Sequence, residues 1–482
     1  MLCKQPYKKL ILLLSFVFIS KYFVPPNVSA QTVAAGGRHS LLICADSTVQ
    51  AWGYNGYGQL GNSTTTEQHS GVKVIGMNGV VSVSGGLFHS IFIKENGTVW
   101  TCGRNNAGPL GDGSTLDRHT PVQVIGLSNI IQASGGGEHS LFLGKDQTVW
   151  SCGLNSSGQL GDGSTTNRLF PIQISGLTNV IQVAAGAEFS LFLKEDGSVW
   201  ACGHNGFGQF GNGTNASNKN PIQINGLSDI IQITAGEWHA LFVKKDGTVY
   251  SSGRNQFGQL GNGTQTDQWL ASSINDLSEV IKAEAGGIHS VFVTNTGTVY
   301  ACGLNSGGNN DGQLGDGTAI DRTKPVLVNT SWGTDKIIHA EACREHTLFL
   351  SEKGPIWASG RNNYGQLGIG YFTTANFKSP VRSNTLCVPI LVKQYQPEAI
   401  QITYQLFPNP TSGSITLKSK PKLKKASISL YNSCGILSRQ TNYNQENEFH
   451  FDLKELKNGL YILTLSENNK FLYSDKIIIN HE

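Results

Sequence analysis

Short apolar stretches alternate with turns rich in Gly and Asn along most of this 482-residue chain. In one stretch of fifty residues the pattern predicts four strands, at residues 180–184, 190–194, 198–202 and 222–224. Glu195-Asp196-Gly197 is a hairpin turn between the second and third strands, and its Gly supplies the positive φ that such turns require. We call the four strands a, b, c and d in chain order. Four short antiparallel strands in each fifty residues are typical of a β-propeller blade.

This unit recurs along the chain in seven copies. One marker is the tetrapeptide Gly58-Gln59-Leu60-Gly61, whose later copies lie at residues 108–111, 158–161, 208–211, 258–261, 312–315 and 365–368. A second marker is His-Ser or a near variant, which begins at His39, His89, His139, Phe189, His239, His289 and His346. Both series keep a step of fifty residues through five copies and then shift, because the sixth copy carries extra residues near Gly308. The repeat length alone also suits kelch blades, and WD-repeat blades are only slightly shorter.

The motif inside the unit is more specific than its length. The pattern AGxxHSLFLxxDGTVWxCGxNxxGQLGxG resembles the repeat of the regulator of chromosome condensation family, and the resemblance covers roughly residues 31–385. The resemblance implies a seven-bladed β-propeller. We therefore expect an all-β chain, with a seven-bladed β-propeller followed by a small β-sandwich.

The residues that the copies share predict structure rather than catalysis. The Gly that precedes each His, as at Gly36 and Gly86, is expected to allow either a bend with positive φ or a close contact between blades. We expect the repeated Asn, as at Asn55, to bond its own loop, and the Leu of the tetrapeptide to plug the space between blades. Six equivalent histidines in a seven-fold ring lie too far apart to bind one metal ion, so we interpret them as structural.

Charge narrows the range of partners. Residues 1–30 carry four Lys and no acidic residue, whereas residues 31–390 carry 21 basic and 25 acidic residues. This mildly acidic repeat region lacks the positive surface that duplex DNA binding requires. We therefore expect no nucleic-acid partner.

Of the nine cysteines, all but Cys3 fall into two groups. Cys102, Cys152, Cys202 and Cys302 share one repeat position, and equivalent positions in separate sheets are beyond disulfide reach. We predict that these four are buried thiols. The sequence does not distinguish a free thiol from a disulfide at Cys44, Cys343, Cys387 and Cys434.

The start of the chain reads as a targeting segment. Lys4, Lys8 and Lys9 precede an apolar run at residues 10–19 that is too short to span a bilayer. The small residues at Val28 and Ala30 fit a signal-peptidase site. We predict a signal peptide at residues 1–30, cleaved near Ala30, and keep an uncleaved membrane anchor as the alternative.

The last seventy or so residues alternate like strands and carry a second motif. The stretches FPNPTSG, ISLYNSCGILSRQ and LKNGLYILTL resemble the type A sorting domain of type IX secretion in Gram-negative bacteria. The resemblance implies recognition by the type IX machinery and a membrane association only through surface attachment after sorting. The alternative is an Ig-like or carbohydrate-binding module. The predicted domains are a signal peptide at 1–30, the propeller at 31–386, a linker at 387–405 and the sorting domain at 406–482.

The two ends of the repeat region also indicate how the ring closes. Residues 31–35 match only the end of a repeat, and residues 379–382 match strand d. We expect these two fragments to share one blade and so to join the ends of the ring.

The copies differ most on one face of the predicted ring. In an antiparallel blade the a–b bend and the c–d loop emerge on one face, and the b–c and d–a turns on the other. Variable side chains on the first face are Arg38, Phe88, Trp238 and Ile288 next to the His position, and Tyr57, Phe207, Phe257, Trp269 and Tyr364 after strand c. Aromatic side chains on variable loops are typical anchors for protein partners, although each could instead pack between loops. We predict that these nine residues form a partner-binding face.

The sequence thus favours a secreted or cell-surface propeller that binds or inhibits a macromolecule without catalysis. The expected partner is an extracellular protein or glycan, and we expect a monomeric propeller with no cofactor, metal or catalytic residue. The family implies nucleotide exchange on a nuclear GTPase, a partner that an exported, acidic ring would not meet. A secreted bacterial propeller of this fold that inhibits β-lactamases through its loops is a nearer precedent. The alternatives are a surface adhesin or glycan-binding protein and, from a central pocket, a lyase or hydrolase.

Overall fold

The computed structural model describes residues 32–306, 312–371, 373, 376–385, 387, 405–407, 414–423, 426–432, 437–444, 446–467 and 470–479. The predicted signal peptide, the extra residues near Gly308 and most of the predicted linker lie outside these ranges. The described residues contain no helical segment with the length and hydropathy of a membrane span. The chain divides into two compact units, Met1–Val392 and Lys393–Glu482.

The first unit is built from seven four-stranded antiparallel sheets, each formed by four consecutive strands. Blade 1 contains β1 (Val33–Ala35), β2 (His39–Ile43), β3 (Val49–Gly53) and β4 (Gln68–Lys73); blade 2 contains β5 (Val80–Gly85), β6 (His89–Lys94), β7 (Val99–Gly103) and β8 (Arg118–Gln123); blade 3 contains β9 (Ile130–Gly135), β10 (His139–Gly144), β11 (Val149–Gly153) and β12 (Arg168–Gln173); blade 4 contains β13 (Val180–Ala185), β14 (Phe189–Lys194), β15 (Val199–Gly203) and β16 (Asn218–Ile224); blade 5 contains β17 (Ile230–Ala235), β18 (His239–Lys244), β19 (Val249–Gly253) and β20 (Gln268–Ser273); blade 6 contains β21 (Val280–Ala285), β22 (His289–Thr294), β23 (Val299–Gly303) and β24 (Arg322–Leu327); blade 7 contains β25 (Ile337–Ala342), β26 (His346–Ser351), β27 (Ile356–Gly360) and β28 (Phe377–Arg382). The predicted all-β fold and its seven-bladed propeller are confirmed.

Blade 4 shows why the local pattern predicted the strands. Gly197 has a φ of 79°, as the predicted hairpin turn requires. Strand d begins at Asn218, four residues before the predicted start, because the c–d pairing continues past a register shift to join Gly203 with Asn218. That extension brings the end of the c–d loop close to strand c.

The core of the propeller lies between the blades. Strand a is innermost, since consecutive a strands contact each other from β1 and β5 to β21 and β25, and β1 also contacts β25. A cluster of buried apolar side chains fills each of the seven interfaces between blades. Phe92 of blade 2, for example, packs with Leu41 and Val49 of blade 1. Each blade is therefore stabilised by its neighbours more than by a core of its own.

The repeated histidines link consecutive blades. His89 Nε2 lies 2.9 Å from Ser140 Oγ of the next blade, and Ser140 Oγ donates to the carbonyl of Pro109 at 2.8 Å. The imidazole also lies over Gly86, where an added Cβ would collide with the ring. Gly86 does not have a positive φ. Close contact is therefore the reason for this Gly, and the positive-φ alternative is wrong.

The Asn and the tetrapeptide behave as predicted. Asn55 Oδ1 accepts a hydrogen bond from the Leu60 N–H, and its Nδ2 donates to the carbonyls of Thr64 and Thr66. Leu60 is fully buried in the cluster between blades 1 and 2. The loop after strand c is thus fixed from within, which gives the variable side chains around it a rigid support.

The cysteines resolve into thiols and one disulfide. Cys102, Cys152, Cys202 and Cys302 are free and buried, as predicted, and burial raises the pKa of each thiol. Among the cysteines left open by the sequence, Cys343 is a buried thiol, and Cys434 lies outside the described residues. Cys44 forms a disulfide with Cys387, with 5.6 Å between their Cα atoms.

The predicted closure through a shared blade is wrong. Strand β1 pairs with β2 in the sheet of blade 1, and β28 pairs with β27 in the sheet of blade 7, so both blades are continuous in sequence. The ends of the ring meet instead through side chains. Ser40 Oγ lies 3.0 Å from His346 Nε2, and the indole of Trp52 donates to the Gln366 carbonyl at 2.9 Å.

The second unit is also made of strands. They are β29 (Gln405–Phe407), β30 (Ser414–Leu423), β31 (Ala426–Asn432), β32 (Leu437–Tyr443), β33 (Glu446–Asp452), β34 (Gly459–Glu467) and β35 (Lys470–Ile479). They form one sheet in the order β29-β30-β33 and another in the order β32-β31-β34-β35. The alternation of the sequence predicts five of these strands but neither β29 nor β32, and β32 is largely polar. Packing of the two sheets as a sandwich stays a prediction.

Candidate partner-binding face

Two variable positions of each blade lie side by side on the face formed by the a–b bends and c–d loops, which we call the loop face. The residue after the last Gly of strand c donates its N–H to the carbonyl of the residue before the His position. The donor and acceptor pairs are Tyr54 and Arg38, Arg104 and Phe88, Leu154 and Glu138, His204 and Glu188, Arg254 and Trp238, Leu304 and Ile288, and Arg361 and Glu345, at 2.8–3.0 Å. These backbone bonds fix where the variable side chains start.

The third variable position, in the c–d loop, is held by the tetrapeptide. The N–H groups of Tyr57, Phe207, Phe257 and Tyr364 each donate to the Gln side chain two residues later, at 2.9–3.1 Å. Each of these aromatic side chains is half-buried. The three positions of a blade therefore form a fixed frame on which only the side chains change.

The first aromatic cluster spans blades 7, 1 and 2. Its rings are Tyr54, Tyr57, Phe88 and Tyr364, and the Tyr54–Tyr364 and Tyr57–Phe88 centroids are each 5.2 Å apart. Three guanidinium groups lie over these rings, Arg38 and Arg361 over Tyr364 and Arg104 over Tyr57, at 5.1–5.6 Å. Such stacking is favourable and holds both partners in place. Burial and the neighbouring tyrosines raise the pKa of Tyr54, so it is a neutral phenol at physiological pH.

The second aromatic cluster spans blades 4 and 5. Trp238 lies 5.2 Å from His204 and 5.7 Å from Phe207, between ring centroids. The guanidinium of Arg254 lies 5.4 Å from the centroid of Phe207. Both clusters are built in the same way, from the c–d loop of one blade and the a–b bend of the next.

Ion pairs fix the arginines of the loop face. Glu345 accepts from Arg38 at 3.0 Å and from Arg361 at 2.9 Å, and only 6% of its side chain is exposed. Arg104 pairs with Glu138 at 2.8 Å, and Arg344 pairs with Glu237 at 2.9 Å. Burial raises the pKa of Glu237, and Arg344 opposes that shift. Buried pairs of this kind set geometry more than they add stability.

The structure brings together six of the nine predicted residues. Arg38, Tyr57, Phe88 and Tyr364 belong to the first cluster, and Phe207 and Trp238 to the second. Phe257 and Ile288 are half-buried on the loop face outside both clusters. Trp269 is exposed and lies on strand β20 against Gly208 of the preceding blade, outside both clusters. Its position holds a residue that packs on that Gly in every blade, which is a structural role.

The sequence reasoning missed the position after strand c. Tyr54, Arg104, His204, Arg254 and Arg361 all occupy it, and each takes part in a cluster. The signal was present, since the residue between the invariant Gly and Asn differs from copy to copy. This position was not predicted because it lies between a Gly and an Asn that every copy shares.

A set of titratable side chains lies on the inner strands of blades 6 and 7. Burial and the nearby Glu341 raise the pKa of Glu284 to about 7. Glu284 accepts from Thr234 Oγ1 at 3.2 Å and lies 3.7 Å from Lys282 Nζ, and His339 pairs with Glu341. Side chains of these inner strands thus engage both carboxylates. No group of three or more metal-ligating side chains occurs among the described residues.

These features define a class of protein: a seven-bladed β-propeller whose shared residues build the ring and whose variable residues lie on one face. The chain belongs to the RCC1-like domain family, whose profile matches residues 115–407. Profiles of the regulator of chromosome condensation (RCC1) repeat match residues 30–59, 80–108 and 46–93. The secretion system C-terminal sorting domain matches residues 405–480.

Individual relatives show the fold more than the role. The chain is 42% identical to Protein RCC2 homolog of Xenopus laevis over 69 residues, which are 14% of this chain and 13% of that protein. The structure of human WBSCR16 has a TM-score of 0.59 at 23% identity, covering 67% of this chain and 87% of that one. Yeast RCC1 (Prp20), bound to Kap60, has a TM-score of 0.62 at 20% identity, covering 75% of this chain and 93% of that one.

The sorting domain supports a secreted or outer-surface location. A chain with this domain is a secreted propeller, delivered to the outer surface or the medium, and the domain implies interaction with the type IX secretion machinery. A disulfide such as Cys44–Cys387 persists in an oxidising compartment, which agrees with export.

Proposed function

We propose that the protein is a non-catalytic binding module that engages an extracellular protein through the two aromatic clusters of the loop face. The observation that carries this proposal is the pairing of half-buried aromatic rings with stacked arginines at three blade boundaries. Tyr, Trp and Arg are the side chains that dominate protein interfaces. Membership of the RCC1-like domain family supports a binding or regulatory role.

Blade packing alone does not account for these aromatic residues. At the c–d loop position where blades 1, 4, 5 and 7 carry Tyr or Phe, blade 2 carries Ala107 and blade 3 carries Ser157. Both blades pack into the same ring with the same backbone hydrogen bonds in this loop. The aromatic rings therefore contribute to the binding surface rather than to blade packing. Because their positions are fixed, less entropy is lost when a partner binds.

Paired variants of the full chain test the proposal. The chain is used to capture extracellular proteins, and each captured partner is then titrated against Tyr57→Ala/Phe88→Ala and Phe207→Ala/Trp238→Ala. We expect each pair to weaken binding by roughly 30-fold or more, the effect of losing interface hot spots. Trp200→Ala is the matched control, because Trp200 is a half-buried aromatic residue beside the b–c turn at the opposite end of blade 4.

The outcome separates the competing functions. If every captured protein binds both paired variants as tightly as the unchanged chain, the loop face is not the interface and the proposal fails. A glycan array probed with the same variants tests the adhesin alternative. Binding of glycans that is lost in the paired variants, without any protein partner, would also overturn the proposal.

A further inference from the structure

The face opposite the loop face carries a repeated arrangement of an aromatic ring under a lysine. The second residue of strand c is Trp100, Trp200 or Tyr250 in blades 2, 4 and 5. The last residue of strand b in those blades is Lys94, Lys194 or Lys244, and its ammonium lies 4.8, 4.6 or 5.8 Å from the ring centroid. In blade 2 the ammonium also donates to the Gly76 carbonyl at 3.0 Å. The ring and the d–a turn thus form a site that the chain fills with its own ammonium group.

Blade 3 keeps this site but lacks the lysine. Trp150 occupies the ring position, and strand b ends at Gly144. A cavity of about 470 Å³ lies where the lysine would be, bounded by Trp150, Gly144, Asp146, Asn129 and Gly126. Gly126 is the counterpart of Gly76. Blades 1, 6 and 7 carry Cys44, Thr294 and Ser351 at the position of Gly144, so only blade 3 has no side chain there.

We propose that this cavity binds an alkylammonium group of the kind carried by a lysine side chain of a partner polypeptide. Blades 2, 4 and 5 show the bound arrangement within the same molecule, with the ammonium over the ring. In blade 3 the indole ring is one wall of the cavity, and Trp150 Nε1 is oriented by a bond to Thr148 Oγ1 at 3.3 Å. The ring face attracts a cation through its quadrupole.

The charges around the cavity fit this ligand. Asp146 is a wall of the cavity, and its hydrogen bonds with Thr148 lower its pKa, so it is a carboxylate at neutral pH. In blade 4 the equivalent Asp196 has its pKa lowered by Ser198 and also by the ammonium of Lys194. Among the residues that the structure describes, Lys145 is the other charged residue lining the cavity. Blade 5 accommodates the same neighbour, since Lys245 follows the Lys244 that lies over Tyr250.

A titration of the full chain with N-acetyl-lysine methylamide, followed by nuclear magnetic resonance, tests the proposal. We expect saturable binding that shifts the indole N–H signal of Trp150. The norleucine analogue has the same alkyl chain without the charge and is expected not to bind. Trp150→Ala should weaken binding by roughly fivefold or more, because the cation loses the ring. n-Butylammonium is titrated in parallel, and tighter binding of lysine than of the free amine indicates a polypeptide source.

Two further variants exchange the properties of blades 3 and 4. Gly144→Lys gives blade 3 the Lys-Lys-Asp turn sequence of blade 5. Its Cβ displaces the flexible carboxylate of Asp146, whose Oδ1 lies next to that position, and its tethered ammonium should abolish binding. Adding Lys194→Gly to that variant uncovers Trp200 and should restore binding at blade 4. Circular dichroism and the midpoint of thermal unfolding verify that both variants are folded.

The proposal fails on any of three results. The first is that the unchanged chain binds no alkylammonium ligand, or binds n-butylammonium at least as tightly as the lysine derivative. The second is that the norleucine analogue binds as tightly as the lysine derivative. The third is that a folded Gly144→Lys variant keeps its full affinity.

Discussion

At the scale of single residues, the contact between blades depends on neutral histidines. The Ser or Thr that faces each His donates its hydroxyl proton to a backbone carbonyl, as Ser140 does to Pro109 and Thr347 to Gln313. Nε2 of the His must then be the donor to that hydroxyl, which leaves Nδ1 without a proton. In agreement, Nδ1 of His39, His139, His239, His289 and His346 is buried and has no partner within the described residues. Burial lowers the pKa of these histidines to about 3.

This state of the histidines predicts a pH dependence of stability. A histidine whose pKa is about 3 when folded and near 6.5 when unfolded favours the folded state fully above pH 6.5. As the pH falls below 6.5, unfolding takes up protons, and each such histidine costs up to about 1.4 kcal/mol per pH unit. We expect the free energy of unfolding to fall between pH 6.5 and 5, because five such histidines outweigh Glu284, whose raised pKa of about 7 acts in the opposite direction. Denaturant unfolding at constant ionic strength measures it, and a flat profile in that window would contradict the assignment.

One blade boundary replaces the polar pair with an apolar pair. Blade 4 has Phe189 at the His position and blade 5 has Ala240 at the Ser position, and both pack in the same buried cluster. Phe189 and Ala240 lie at the same interface, so the Phe189 ring takes the space that the Ser hydroxyl occupies at the other interfaces. A histidine at 189 facing Ala240 would be a buried donor without an acceptor.

A double-mutant cycle tests this compensation. Phe189→His alone should destabilise the propeller by about 1–3 kcal/mol, the cost of a buried unpaired polar group. Adding Ala240→Ser should recover about 1 kcal/mol or more, because the hydroxyl can accept from the new imidazole. Denaturant unfolding of the four proteins gives the coupling free energy. If the two changes add within about 0.5 kcal/mol, the residues do not act as a pair.

At the scale of the blade, local chemistry made most of the fold predictable. Strands a, b and c follow from alternation and from turns such as Asp196-Gly197, which depend on neighbours in sequence. Strand d was predicted too short, because its first residues pair only through a register shift set by the whole sheet. β32 of the second unit was missed since its exposed, polar side chains give no apolar signal.

The candidate site was predictable only in part. Variation between copies identified Arg38, Tyr57, Phe88, Phe207, Trp238 and Tyr364, because a rigid frame leaves function to the unshared residues. The same criterion selected Trp269, which lies apart from both clusters because its position packs on the Gly of the preceding blade. Which residues meet across a boundary, such as Phe207 and Trp238, depends on how two blades pack, and the sequence of one repeat does not contain that information.

At the scale of the whole molecule, the ring is closed without a shared blade. Closure depends on how the first and last blades pack against each other. Comparing each end of the chain separately with the repeat sequence could not determine it. The structure uses the repeated contact for closure, with His346 facing Ser40, and adds Trp52 where other blades have Cys or Ser. The Cys44–Cys387 disulfide then joins blade 1 to the chain that follows blade 7.

We expect this disulfide to keep the ring closed. Its two cysteines are 343 residues apart, so the covalent link restricts almost the whole unfolded propeller. Cys44→Ser/Cys387→Ser should lower the free energy of unfolding by about 2–5 kcal/mol. Hydrogen exchange should rise first in β1 and β28, the strands at the two ends of the ring. Cys102→Ser is the matched control, because Ser252 already occupies the equivalent position and donates to Gln209. Equal loss of stability in the control, or uniform exchange around the ring, would show that the seventh interface needs no covalent link.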